Sequence, residues 1–233
     1  VQGAVEKALS CVANHPVNVI CAGRTDSGVH ATAQTIHFDS DADRPGHSWM
    51  LGANVNLPGD IKLLWANIID ENFHARFSAQ ARQYRYVILN RPVDSAIGYK
   101  QVTWERRPLD AERMQKGAVH LLGQHDFTSF RAVSCQANSA VREIQHIQVT
   151  RQDDFLYLDI TANAFLHHMV RNIAGVLMAV GQNEQQPDWV REVLDLRDRT
   201  QAGVTASAHG LYLVGVSYPS EFSINSQGYL PVF

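Results

Sequence analysis

The chain has 233 residues, of which 45% are hydrophobic and 18% charged, a globular composition that excludes disorder and leaves room for one large or two small domains. Twenty Lys and Arg against 23 Asp and Glu give a formal net charge of −3, which excludes binding nucleic acid through a global positive field; any phosphate contact must come from local clusters of basic groups. The three cysteines, Cys11, Cys21 and Cys135, form no CxxC pair, which argues against a disulfide framework or a zinc knuckle and for a reducing cytoplasm.

In chain order, Val1 to Val12 carries apolar residues at helical spacing, and Val17 to Ala22 reads as a strand rich in Val and Ile. Thr32 to Phe38 alternates into a second strand. His47 to Val55 reads as a short helix closed by Leu57-Pro58-Gly59, and Ile61 to Ile69 as a third strand. A second passage opens with a strand at Gln83 to Leu89. A helix from Ala111 to Leu122 follows, with Asp110 as its N-cap and Gly123 as its stop. Arg142 to Thr150 and Phe155 to Thr161 pair around a polar turn. Leu166 to Val180 is an amphipathic helix ended by Gly181, a further helix begins after Pro187, and Leu211 to Tyr218 is the last strand.

The second passage has the order βαββαβ, which is ferredoxin-like, and the first has the same order without its opening strand. The expected fold class is therefore α+β, with two such ferredoxin-like halves. Expected domains are residues 1–79, carrying the loop of Asp26, residues 80–218, and a tail of residues 219–233. The chain starts Val1-Gln2-Gly3, without an initiator Met, a secretory signal or the missing strand, so a strand is expected to precede Val1. The longest apolar run, Ala174 to Val180, is too short to span a bilayer.

Four segments can carry chemistry. Gly23 to His30, GRTDSGVH, places Arg24, Asp26 and Ser27 between two glycines and two strands; Asp26 is either an Asx-turn cap or a carboxylate displayed on a rigid loop. In Arg82-Gln83-Tyr84-Arg85-Tyr86 the two tyrosines share one strand face, suiting base stacking or plain strand packing. Phe165 to Asn172, FLHHMVRN, opens the amphipathic helix. Adjacent helical histidines point about 100° apart and lack the i, i+4 spacing of a zinc helix, so no metal is expected. Arg171 sits beside the apolar stripe, either snorkelling or reaching a carboxylate. Gly210-Leu211-Tyr212-Leu213 begins the last strand. No Walker loop, dinucleotide glycine motif or HExxH occurs.

Together and in this order the segments resemble the tRNA pseudouridine synthases of the TruA family. GRTDSGVHA is similar to that family's catalytic signature, and NLPGDI, FHARFSA, YRY, HDFTSFR, NAFLHHMVRN and GLYL follow in register. The resemblance implies two ferredoxin-like halves sharing a mixed, mostly antiparallel sheet, and a homodimer that binds tRNA and isomerises uridines at positions thirty-eight to forty of the anticodon stem-loop. It implies that Asp26 is the nucleophile, Arg24 assists base extrusion, Tyr84 stacks on the target base, Arg171 pairs with Asp26 and Leu211 lines the pocket, with Arg44 a peripheral tRNA contact. No cofactor is needed, because the reaction changes no oxidation state and transfers no external group. Two rival readings are a non-catalytic RNA-binding module, against which the absent aromatic RNP strand counts, and a glycosidase or nucleosidase using Asp26 with a second acid such as Asp126, for which no partner can be placed.

Overall fold

A computed structural model of the protein describes residues 1–224 and 226–233. It is a mixed α+β structure whose described strands form one two-stranded and one seven-stranded sheet. The chain divides into two compact units, one of Val1–Arg24, Thr35–Ala79 and Tyr218–Asn225, the other of Thr25–Gln34, Gln80–Ser217 and Ser226–Phe233. The loop carrying Asp26 lies in the second unit.

In the first unit, α1 (Gln2–Ala13) and α2 (Gly46–Asn56) pack together. Val5, Ala8 and Leu9 of α1 and Trp49 and Ala53 of α2 form its core with Val17, Val19 and Leu57. Strands β1 (Ile20–Cys21) and β3 (Ile36–His37) pair antiparallel but are only two residues long. The strand expected over Ile61 to Ile69 does not form a ladder among the described residues. Its hydrogen bonds go elsewhere: the Asn54 amide on α2 donates to the Leu63 carbonyl and accepts from the Leu63 N–H, both at 2.8 Å. One side chain thus replaces a strand partner.

The second unit is built on a seven-stranded sheet. Its centre is β4 (Ala81–Asn90), antiparallel on one side to β8 (Phe155–Ala162) and on the other to β9 (Leu211–Ser217). Beyond β8 lie β7 (Val141–Gln152) and β6 (Gly123–Asp126), both antiparallel. Short β2 (His30–Ala31) joins β9 in parallel and β5 (Thr103–Glu105) joins β4 in parallel. The alternation on β4 separates two faces. Tyr84 and Tyr86 lie on the face that also carries Leu158, Ile160, Leu211 and Leu213. Arg85 lies on the other, where its Nε and Nη2 donate to the two Asp159 carboxylate oxygens at 2.8 and 2.7 Å and its guanidinium sits 4.7 Å from the Tyr157 ring centre. Helix α3 (Ala111–Val119) packs on α4 (Met169–Gly181) and on β7, and α5 (Trp189–Leu196) packs on α3. Asp110 caps α3 as its position predicts, accepting from the Arg113 N–H at 3.0 Å.

Candidate active site

The GRTDSGVHA segment is held by the start of β9. His30 and Ala31 lie beside Tyr212 and Leu213, the Thr32 N–H donates to the Leu213 carbonyl at 2.9 Å, and the His30 ring stacks on Tyr212 at 4.7 Å. Upstream, the Val29 N–H donates to the Asp26 carbonyl at 3.1 Å and closes a tight turn. Gly28 sits there at φ +84°, where a Cβ would lie 3.1 Å from the His209 ring, so both backbone and space require glycine. The GLYL motif has a matching constraint: a Cβ on Gly210 would lie 2.4 Å from the Val87 carbonyl oxygen. The turn therefore presents the Asp26 side chain from a fixed backbone.

Three side chains from the other end of the unit meet it. Arg171 Nη1 donates to Asp26 Oδ2 at 2.9 Å, His167 Nε2 lies 3.0 Å from Oδ1, and His168 Nε2 lies 3.1 Å from Oδ2. The Arg171 side chain is 16% exposed and the Asp26 side chain 25%, so the pair is only partly screened by water. Arg171 is itself braced: its Nε donates to the Ala206 carbonyl at 2.9 Å, and the Ala206 N–H donates to the Arg171 carbonyl at 3.1 Å. The loop bearing Ala206 is tied down by Arg199, which donates to Asn172 Oδ1, Thr205 Oγ1 and the Gly203 carbonyl. Asn172 is fully buried and donates to the Phe130 carbonyl at 2.7 Å. The HDFTSFR segment thus supports the helix that carries Arg171. Its acid, Asp126, accepts from the Thr128 N–H and hydroxyl, which hold its carboxyl below the usual range; no second catalytic acid is indicated there.

Helix α4 starts at Met169, three residues later than its apolar periodicity predicts, because His168 adopts a left-handed conformation at φ 63°. Neither histidine is inside the helix, so the 100° divergence of adjacent helical side chains does not separate them. Their rings lie 4.0 Å apart. Asp26, His167 and His168 offer ligand atoms within 4.8 Å of one another, a set that could face a cation. The Arg171 guanidinium already supplies the positive charge at the carboxylate, which disfavours a second one.

Tyr84 is 9% exposed and meets the Phe165 ring edge-to-face at 5.0 Å. Leu211 is buried opposite Tyr86, whose hydroxyl pairs with Thr103 Oγ1 at 2.6 Å and donates to the Ser207 carbonyl at 2.8 Å. Burial pushes the Tyr86 hydroxyl well above its ordinary pKa, against the Thr103 hydrogen bond and the positive charge of Arg171. The sheet face with Tyr84 and Leu211 and the Asp26–Arg171 pair are thus parts of one unit. Arg24 and Arg44 are exposed and belong to the first unit. Sequence reasoning missed His167 and His168 as partners of Asp26; the doubled histidine was the available signal.

The family described as tRNA pseudouridine synthase matches residues 118–219. A protein of Coxiella burnetii (strain Dugway 5J108-111) named tRNA pseudouridine synthase A is 54% identical over 233 residues, covering 100% of this chain and 89% of its own. The chain belongs to the tRNA pseudouridine synthases. Proteins with the same name from Nitrosococcus oceani and Pseudomonas aeruginosa are 56% and 55% identical over 224 residues, 96% of this chain and 86% and 79% of theirs. Within this tRNA pseudouridine synthase the family match takes in His167, His168, Arg171 and Leu211 but stops short of Asp26 and Tyr84, which only the full-length relatives cover.

Proposed function

We propose that this tRNA pseudouridine synthase converts uridine to pseudouridine at positions thirty-eight to forty of the anticodon stem-loop, with Asp26 as its nucleophile. The observation that carries the reading is the 2.9 Å contact between Asp26 and Arg171, made by a turn and a helix start 145 residues apart. The isomerisation breaks the ribose C1′–N1 bond, turns the base, forms C1′–C5, releases the C5 proton and protonates N1. One carboxylate suffices to assist the cleavage, as nucleophile or base. A second, which most glycosidases need to bring in water, is not required.

Each residue then has a part. The target base must leave the stack, which costs a few kcal/mol. Stacking on Tyr84 recovers roughly 1–3 kcal/mol of that. Because Tyr84 is nearly covered in the free protein, the base takes its place by displacing a neighbour, and Phe165 is the ring already lying edge-on there. Arg171 favours the ionised form of the carboxylate, Leu211 keeps the pocket apolar, and water is excluded because hydrolysis would leave an abasic site. Arg24 assists extrusion of the base by occupying the vacated space or holding the displaced phosphate, and Arg44 meets tRNA phosphate further out. Two ferredoxin-like halves fit this scheme; the order β9-β4-β8-β7 of the second unit, with two helices, supports the second half. A cytoplasmic homodimer is part of the same reading; sedimentation of the purified protein should give twice the chain mass. No described helix is long and apolar enough to cross a membrane.

The test is release of tritium from tRNA labelled at uridine C5. An isomerase liberates it to water, a binding module leaves it in place, and a nucleosidase sets free labelled uracil; either of the last two outcomes contradicts the proposal. Replacing Tyr84 by Phe keeps the ring, so tRNA affinity should stay within about threefold, whereas Tyr84→Ala should lose the roughly 1–3 kcal/mol of stacking. Filter binding reads both, and equal losses would place the interaction in the hydroxyl instead. With a net charge of −3, binding must use clustered Arg, so affinity should fall at least about tenfold between about 50 and 200 mM salt; a flat profile would remove phosphate as the main contact.

A further inference from the structure

We infer that His167 is a positioning residue for the Asp26 carboxylate, fixing its rotation from the oxygen that Arg171 does not hold; the inference rests on Asp26 being the reactive acid. A carboxylate gripped only at Oδ2 can still turn about its Cβ–Cγ bond, which moves Oδ1 off a reacting carbon. Here Arg171 holds Oδ2 at 2.9 Å while His167 Nε2 meets Oδ1 at 3.0 Å, and two holders on two oxygens fix the plane. An ionised carboxylate only accepts, so Nε2 is the atom that donates to Oδ1. The other ring nitrogen, Nδ1, lies 3.4 Å from the Ser134 hydroxyl, a second contact on the same ring.

The backbone is arranged to bring this about. His168 occupies a left-handed conformation that an ordinary L-residue adopts only at a cost, and such strain persists where surrounding contacts enforce it. Its effect is to end the loop before α4, so that two consecutive imidazoles reach one carboxylate. His167 is further anchored by its carbonyl, which accepts from the Ala132 N–H at 2.9 Å, and by the His168 ring at 4.0 Å. His168 itself, which burial holds below its ordinary pKa, lies behind on the Arg171 side and adds a second imidazole beside Oδ2. The His167 side chain is the more exposed of the two, 42% against 29%, which places it toward the solvent side of the acid.

The experiment compares His167→Leu, His167→Gln, Asp26→Asn and the double variant His167→Leu/Asp26→Asn in single-turnover tritium release and tRNA binding. His167→Leu should lower the rate ten- to hundredfold with the tRNA dissociation constant changed less than twofold. His167→Gln, whose amide nitrogen can donate from the same reach, should recover to within fivefold of wild type. In the Asp26→Asn background the Leu change should have no further effect, since residues that act through one another are not additive. A wild-type rate for His167→Leu, or equal impairment of the Gln and Leu variants, overturns the role given to His167 while Asp26→Asn remains inactive. An active Asp26→Asn would instead overturn the site itself.

Discussion

Replacing Asp26 by Asn should reduce turnover by about a thousandfold or more, because the amide has no charge to stabilise a developing ribosyl cation and no nucleophilic oxygen. The change is isosteric, and the amide oxygen can still accept from Arg171, so the turn at residues 26–29 and tRNA binding should be nearly unaffected. The tRNA dissociation constant should stay within about threefold, since stacking and phosphate contacts carry the affinity. Folding should lose little, about 1–2 kcal/mol, reflecting a partly buried guanidinium that now faces a neutral partner. Wild-type turnover in this variant would contradict the assignment.

The largest effect on stability is expected at Gly175, on the face of α4 turned toward the loop that braces Arg171. A Cβ there would lie 1.8 Å from the Val204 carbonyl oxygen, and the obstacle is backbone, which cannot rotate away. Gly175→Ala should therefore force the loop outward and destabilise the protein by about 3 kcal/mol, in spite of the better helix propensity of alanine. For a chain of this size that corresponds to a fall in melting temperature of roughly 6–12 °C. The displaced loop carries Ala206, whose carbonyl and N–H both bind Arg171, so the catalytic rate should fall as well. An unchanged melting temperature would mean that the close approach is not maintained in solution.

The contrast between what was legible in the sequence and what was not has physical causes. Strands β4, β7, β8 and β9 and helices α1, α2, α3 and α5 appear near their predicted places: α1, α3 and α5 each bury one apolar face at helical spacing, whereas β4, β8 and β9 are apolar runs buried on both faces. Strands β5 and β6 were missed: Thr103–Glu105 and Gly123–Asp126 are three and four residues long and largely polar, and they form because β4 and β7 offer free edges. The reverse error at Ile61 to Ile69 arose because alternating apolar residues satisfy a strand pattern whether or not a partner strand exists, and Asn54 took that place. In the site, Asp26 and Arg171 were visible as a charged turn and as a misplaced charge on an apolar helix, and the family resemblance joined them. The approach of His167 and His168 was hidden because periodicity carried the helix back to Leu166, whereas one left-handed residue begins it at Met169. The braces behind Arg171, from Asn172 to Arg199 and Thr205, are long-range polar contacts with no periodic signature.

The central claim is that a single acid beside a guanidinium rearranges the glycosidic bond without admitting water. The most direct measurement is the product balance of one turnover on an anticodon stem-loop transcript labelled with tritium at uridine C5. One tritium should reach water for each pseudouridine found after nuclease digestion, with the chain mass changed only by the label and no free uracil. Labelled uracil with an abasic chain, or pseudouridine formed equally well by Asp26→Asn, would contradict it.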